Sequence, residues 1–275
     1  MAHRPEPGVV HVWYQLTESL DEQNLVAALD VLSPIERARC ERFIFERDRR
    51  DFAAAHSLLR RALSSYGDAR PADWTFVTSP TGKPSLGGAG SGLEFNIAHT
   101  HGLVACVAAA EVSVGVDVES LASNRASDEV IRSCLSETEI ADLALRDGID
   151  RLERFIELWT LKEAYLKAIG AGLSGTMNRF TFEFDGSSGL RFHPPDGTSS
   201  AGWQFALFAP SVRHRMAVAV QSGLVSEFKT LTWSNGPADA NLRVVRTSSV
   251  EVNAPCAQKT GPESINNRDS DTAGG

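Results

Sequence analysis

Cysteine is sparse and never paired in sequence. Cys40, Cys106, Cys134 and Cys256 are scattered with no C-x-x-C spacing, which excludes a zinc-ribbon pattern and a disulfide framework and predicts a reduced, cytoplasmic protein. Long apolar runs are missing too. The longest, LVACVAAA from Leu103, falls far short of the roughly 20 residues that a spanning helix needs. The amino terminus, MAHRPEPGVV, has no charged segment leading into an apolar core, so neither secretion nor membrane insertion is expected. A basic surplus is also absent. The net charge of −8 and pI near 5.4 argue against a general nucleic-acid binder.

What is present is ordinary in bulk and uneven in detail. The 42% hydrophobic and 23% charged content is that of a soluble globular protein, and 275 residues allow one large domain or two small ones. Eight arginines lie between Arg37 and Arg61. Such a concentration suits a phosphorylated ligand or an acidic partner, and equally a solvated helix face.

The pattern of elements occurs twice. A strand over Val9–Leu16 leads to a helix opened by a Ser19/Glu22 capping box, and a second helix opens at Ser33, Pro34 and Glu36. A third runs from Arg47 to Tyr66, stopped by a left-handed Gly67. Strands follow at Trp74–Thr78, Leu93–Ala98 and Leu103–Glu111. The second half has a strand over Val112–Glu119 and helices from Asp128 and Ser136. A long helix, Arg151–Ile169, is capped by Asp150 and Gly170, and strands follow at Arg179–Asp185, Trp203–Ala209 and His214–Gln221. One strand, helices, then three strands, twice over, predicts an α+β protein of two similar α/β halves related by a pseudo-twofold, with the ligand in the cleft between them. The halves are residues 1–111 and 112–222. Residues 223–275 form an extension in which FKTLTW and LRVVRTSSVEV add a strand or two, while Asn253–Gly275 is polar and expected to lack structure.

Chemistry concentrates in VSVGVDVES and FIELWTLKEAYLKAIG. Alternation puts Val114, Val116 and Val118 on one face of the strand and Gly115, Asp117 and Glu119 on the other. The two carboxylates are then about 7 Å apart along the strand. On the helix, Trp159, Glu163 and Lys167 share a face. Three carboxylates beside a lysine suit a hard cation and a phosphate ligand, since Mg²⁺ takes few carboxylates and accepts phosphate oxygens. Taken alone, Asp-x-Glu also describes a strand with a wet outer face, and Glu163/Lys167 an ordinary helical ion pair. In TGKPSL, Gly82 and Pro84 fix a turn that aims Lys83, which is either a phosphate contact or a solvated surface lysine. His99 and His101 alternate near a strand end with no third ligand of matching type nearby, so His99 is read as a hydrogen-bond donor to phosphate or ribose rather than a zinc ligand.

FNIAHTHG, VGVDVE and FIELWTLKEAYLKAIGAGL, in this order and joined to SPIERARCERFIF and GKP, closely resemble the 4′-phosphopantetheinyl transferases of the surfactin-synthetase-activating type over roughly residues 9–221. The resemblance implies transfer of the phosphopantetheine arm of coenzyme A to a serine of an apo acyl, peptidyl or aryl carrier protein, with adenosine 3′,5′-bisphosphate as the second product. Such an enzyme is a holo-carrier synthase serving fatty acid, polyketide or nonribosomal peptide assembly, and a monomer that engages neither nucleic acid nor membrane. The resemblance makes Asp117, Glu119 and Glu163 the Mg²⁺ ligands, with Glu163, Lys167 and Asp117 as the catalytic set. Arg39, Lys83, Pro84, Asn96, His99, Lys162 and Lys167 would contact coenzyme A, and Trp159 would help shape the site. Two departures stand out. Ala98 takes the place of a serine that often precedes the histidine, and an arginine often found early in the long first-half helix is out of register, with Arg49 and Arg50 followed by Asp51.

In the expected mechanism Lys167 and the cation offset charge on the pyrophosphate, while Glu163, directly or through a water, takes the serine proton. Two other classes compete. A Mg²⁺-dependent phosphodiesterase or nuclease would turn the same carboxylates to activating water. A coenzyme A-binding module without chemistry would keep Lys83 and His99 but have no need of all three carboxylates.

Overall fold

The computed structural model describes residues 4–80, 82–87, 92–123, 126–172, 177–186, 189–222, 227–232, 243–247 and 251–256. Its first half comprises β1 (Val9–Leu16), α1 (Glu22–Asp30), α2 (Pro34–Glu41), α3 (Glu46–Ser64), β2 (Phe76–Thr78), β3 (Pro84–Leu86), β4 (Leu93–Thr100) and β5 (Leu103–Ala110). The second half repeats the order with β6 (Val114–Ser120), α4 (Asp128–Cys134), α5 (Glu137–Ala144), α6 (Gly148–Ile169), β7 (Thr181–Asp185), β8 (Gly189–His193), β9 (Trp203–Ser211) and β10 (His214–Gln221). In each half the first strand pairs antiparallel with the last, and the last with the one before it, giving β1-β5-β4 and β6-β10-β9. The closing run in each half has one strand more than the alternation predicts. The additions, β3 and β8, are short segments beside Gly- and Ser-containing stretches of sequence, where period-two patterning is faint.

The extension is woven into both sheets. β11 (Glu227–Thr232) runs parallel to β1, β12 (Arg243–Thr247) pairs antiparallel with β9, and β13 (Glu251–Cys256) lies parallel to β11. Phe228 is buried between the sheets and Leu231 beneath α3. Of the tail expected to lack structure, Asn253–Cys256 belong to β13, and 257–275 lie outside the described residues.

Four layers result: helix, sheet, sheet, helix. Val10, Val12 and Tyr14 of β1 meet Val114, Val116 and Val118 of β6 in the core between the sheets. α3 covers the outer face of the first sheet with Leu58, Leu59 and Leu63, and α6 covers that of the second with Phe155, Leu158 and Tyr165. Each such side chain taken fully out of water contributes about 1.5–3 kcal/mol before entropy is counted.

Local chemistry accounts for the helix ends, with corrections. Ser33 and Ser136 form the reciprocal boxes with Glu36 and Glu139. α1, however, starts at Asp21, whose side chain accepts the Asn24 N–H; Thr17–Ser19 form a 3₁₀ turn, so the Ser19/Glu22 box does not exist. Gly67 is not left-handed, because α3 has already ended at Ser65 in right-handed geometry. α6 begins after Asp147, which places Asp150 within its first turn, while Gly170 caps the other end with φ of 69°. β6 has no wet face at all. Its valines enter the core between the sheets, and Gly115, Asp117 and Glu119 lie under α6, all buried.

Gly115 makes that burial possible. A Cβ on Gly115 would fall 2.5 Å from the Ala168 nitrogen and closer still to the Ala164 oxygen. Only a residue without a side chain lets α6 lie directly on β6. The helix face carrying Trp159, Glu163 and Lys167 is thereby brought down onto the strand face carrying Asp117 and Glu119.

Candidate active site

A cavity of about 690 Å³ opens where the first half meets the end of α6, a size typical of small-molecule sites. Arg39 reaches it from α2, His56 from α3, Lys83 from the turn before β3, His99 from β4 and Lys167 from α6. These side chains share one electrostatic environment. Burial pushes the His99 imidazole below its usual range, Asp51 opposes the shift, and the nearby charges of His56, Lys167 and Arg39 reinforce it. His99 as a residue is nevertheless exposed, and it lines the cleft together with Arg39, Lys83 and Lys167. A concave surface lined in this way attracts a polyanion.

The individual contacts are specific. The Arg39 guanidinium lies over the Phe52 ring, 5.5 Å from its centroid, and the residue is exposed. Lys83 donates to the Ala168 carbonyl at 2.9 Å; burial lowers its ammonium, and Glu94 opposes that. Asn96 is buried, and its Oδ1 accepts the Val116 N–H at 3.0 Å, stitching β4 to the edge of β6 one residue before Asp117. Pro84 lines the cleft beside Lys83. Ala98 is packed in the core between the sheets and offers no polar atom to the cleft.

Behind Lys167 lies the carboxylate group. Lys167 Nζ is 2.6 Å from Asp117 Oδ1, and Trp159 Nε1 donates to Glu119 Oε1 at 3.1 Å. Glu163 sits one turn from each of these helix residues, on the same face. Asp117, Glu119 and Glu163 are 6%, 5% and 8% exposed, and Lys167 joins this group to the cleft that it also lines. Among the described residues, no three His, Cys, Asp or Glu side chains are gathered as a metal cage. A hard cation nevertheless fits this set on chemical grounds. Asp117 Oδ2 is buried with no hydrogen-bond partner among the described residues, while its Oδ1 binds the Lys167 ammonium, so one carboxylate oxygen is left for a hard cation.

Lys162 is placed elsewhere. It is fully buried on another side of α6, donating to the Met177 and Phe180 carbonyls at 2.7 and 2.5 Å and pairing with Glu139 at 2.8 Å. Its role is to tie α5 and α6 to the start of β7, not to line the cleft. Arg49 and Arg50 do not line it either; Arg50 donates to the Leu20 carbonyl at 2.8 Å. Asp51, which follows them, is buried between Thr17 and His101.

Glu36, expected only at a helix start, and His56 and Arg60, which no motif singled out, also line the cleft. Glu36 caps α2, accepts from Arg60 Nε at 2.9 Å, and lies 2.9 Å from His56 Nδ1. Burial alone would raise its carboxyl; the hydrogen bonds from His56 and Ser33 outweigh that and hold it down at about 2. Glu36 is therefore anionic and orients His56 at the cleft wall. The available signal was the four-residue spacing of His56 and Arg60 on one face of α3.

Comparison with known proteins agrees over most of the chain. The sequence model of the 4′-phosphopantetheinyl transferase superfamily matches residues 113–220, and that of the 4′-phosphopantetheinyl transferase N-terminal region matches residues 19–112. The 4′-phosphopantetheinyl transferase HetI of Nostoc sp. is 33% identical over 167 residues, covering 60% of this chain and 70% of that protein. A phosphopantetheinyl transferase of Thraustochytrium sp. is 29% identical over 198 residues, 68% of this chain and 69% of its own length. The 4′-phosphopantetheinyl transferase Sfp of Bacillus subtilis is 28% identical over 171 residues, 62% and 75% of the two chains.

Proposed function

The chain belongs to the 4′-phosphopantetheinyl transferase superfamily, and on that premise we propose that it moves the 4′-phosphopantetheine arm of coenzyme A onto a serine of an apo acyl, peptidyl or aryl carrier protein, releasing adenosine 3′,5′-bisphosphate. The observation that carries this reading is the placement of Lys167, which lines the cationic cleft and also binds the buried carboxylate Asp117. Anion binding and an acid-rich reaction centre thus meet at one side chain.

In this reading Lys83 and His99 take the adenosine 3′-phosphate, Arg39 a further phosphate, and Lys167 the pyrophosphate, each by charge-assisted hydrogen bonds. Pro84 and Asn96 complete the wall. Asp117, Glu119 and Glu163 would hold Mg²⁺, which supplies charge neutralisation for a phosphate ligand. Trp159 fixes the Glu119 carboxylate through its indole N–H. Glu163 takes the proton from the attacking serine as the serine oxygen forms its bond to the β-phosphorus and the bond to the leaving bisphosphate oxygen breaks. Lys167 offsets the charge left on that oxygen.

The competing phosphodiesterase reading uses the same carboxylates on water. Release of adenosine 3′,5′-bisphosphate separates the two. Release that requires both Mg²⁺ and an apo carrier supports transfer, whereas equal release without a carrier refutes it.

A further inference from the structure

We propose that Lys83, besides meeting the ligand, is a positioning residue that pins the last turn of α6 and so holds Lys167 in register with the cleft. The inference rests on the transferase reading for its activity assay, but its structural half stands alone. Lys83 leaves the turn between β2 and β3 next to Gly82, whose φ is 89°, and crosses to the other half of the molecule. Its Nζ donates to the Ala168 carbonyl at 2.9 Å. Ala168 follows Lys167, the residue bonded to Asp117.

The last four carbonyls of a helix have no partner within it. At the end of α6 two of them are satisfied locally, since the Gly170 N–H bonds Lys167 O at 3.3 Å and the Ala171 N–H bonds Leu166 O at 3.1 Å. The Ala168 carbonyl is taken by Lys83. The methylene stem of Lys83 also packs beside Gly170, where an added Cβ would lie 3.6 Å from Lys83 Cδ.

The helix terminus carries roughly half a negative elementary charge, and it faces a cleft suited to anions. An ammonium seated on that terminus offsets repulsion of an incoming phosphate and ties α6 to the first half. An ammonium has three N–H donors, so one contact with Ala168 leaves donors for the ligand.

The discriminating variants are Lys83→Met and Lys83→Arg, assayed with coenzyme A and with 3′-dephospho-coenzyme A. If Lys83 met only the 3′-phosphate, Lys83→Met would match the parent on the second donor. The pinning role predicts instead that kcat with 3′-dephospho-coenzyme A falls about tenfold, on the scale of one charge-assisted hydrogen bond. It also predicts faster amide hydrogen exchange at Gly170 and Ala171 in the ligand-free Lys83→Met protein, with Lys83→Arg restoring both. Unchanged kcat on that donor, or unchanged exchange, overturns the proposal. A parent that fails to transfer from coenzyme A would refute the transferase reading, while exchange, which needs no turnover, still decides this one.

Discussion

Gly115 and Ala164 are in backbone contact: α6 lies so close on β6 that no side chain fits between them. This approach puts Lys167 on Asp117 and Trp159 on Glu119. Gly115→Ala must therefore lift the helix or distort the strand, an overpacking cost of about 1–3 kcal/mol or more. The expected outcome is a lower Tm together with a loss of activity larger than the fraction unfolded explains. Thermal unfolding and kcat measured on the folded variant check it; parent-like values of both would remove the close approach from the account.

Lys162 separates structural from catalytic duty within one helix. Removing one partner of a buried ion pair strands the other, at roughly 3–5 kcal/mol. Lys162→Met should accordingly destabilise strongly by leaving Glu139 unpaired, with ligand affinity of the remaining folded protein unchanged. Adding Glu139→Gln should recover part of the loss. Denaturant unfolding with calorimetric titration of coenzyme A tests both, and an affinity loss without a stability loss would return Lys162 to the cleft.

These two cases show what was legible in the sequence. The alternation in VGVDVE assigned the faces of β6 correctly, and four-residue spacing put Trp159, Glu163 and Lys167 together, because each pattern is local. The partners of Lys162 lie at Glu139, Met177 and Phe180, outside its own helix, and no spacing rule reaches them. Glu36 was visible as a cap but not as the anchor of His56, for the same reason. The Ser19/Glu22 box failed because Asp21 competes for the same helix start and wins by bonding the Asn24 N–H. The cleft itself was anticipated from the doubled order of elements, whereas the entry of β11 into the first sheet follows from a burial of Phe228 that pattern alone does not locate.

Acid should weaken the fold through His11. Trp13 Nε1 donates to the Tyr66 hydroxyl at 2.9 Å, and that hydroxyl lies 2.8 Å from His11 Nδ1, which ties the imidazole into the interior. Burial, reinforced by Lys229 and opposed by Glu227, pushes this imidazole down to about 4. The unfolded chain binds a proton there at a higher pH than the folded one. Stability is therefore complete above about 6.5 and declines as pH falls toward the folded value. Tm measured from pH 7 to 4 should fall in the parent and fall less in His11→Asn; identical slopes would exclude His11 as the source.

Asp117 tests the cation without turnover. Mg²⁺ that binds only the folded protein stabilises it by mass action, by about 2.7 kcal/mol at 100 times its dissociation constant, and so raises Tm. Asp117→Ala should stay folded, since the Lys167 ammonium that it leaves without its partner is only partly buried, yet lose this Mg²⁺-dependent rise. A rise equal to the parent's would take Asp117 out of the ligand set.

Transfer of phosphopantetheine to a carrier protein by the buried carboxylates and Lys167 is open to intact-mass spectrometry of apo carrier incubated with the protein, coenzyme A and Mg²⁺. The expected outcome is a mass gain of one phosphopantetheine on the carrier serine with the parent, and none with Glu163→Gln although coenzyme A still binds. No mass gain on any acyl, peptidyl or aryl carrier while coenzyme A is hydrolysed, or a parent-like gain with Glu163→Gln, would contradict it.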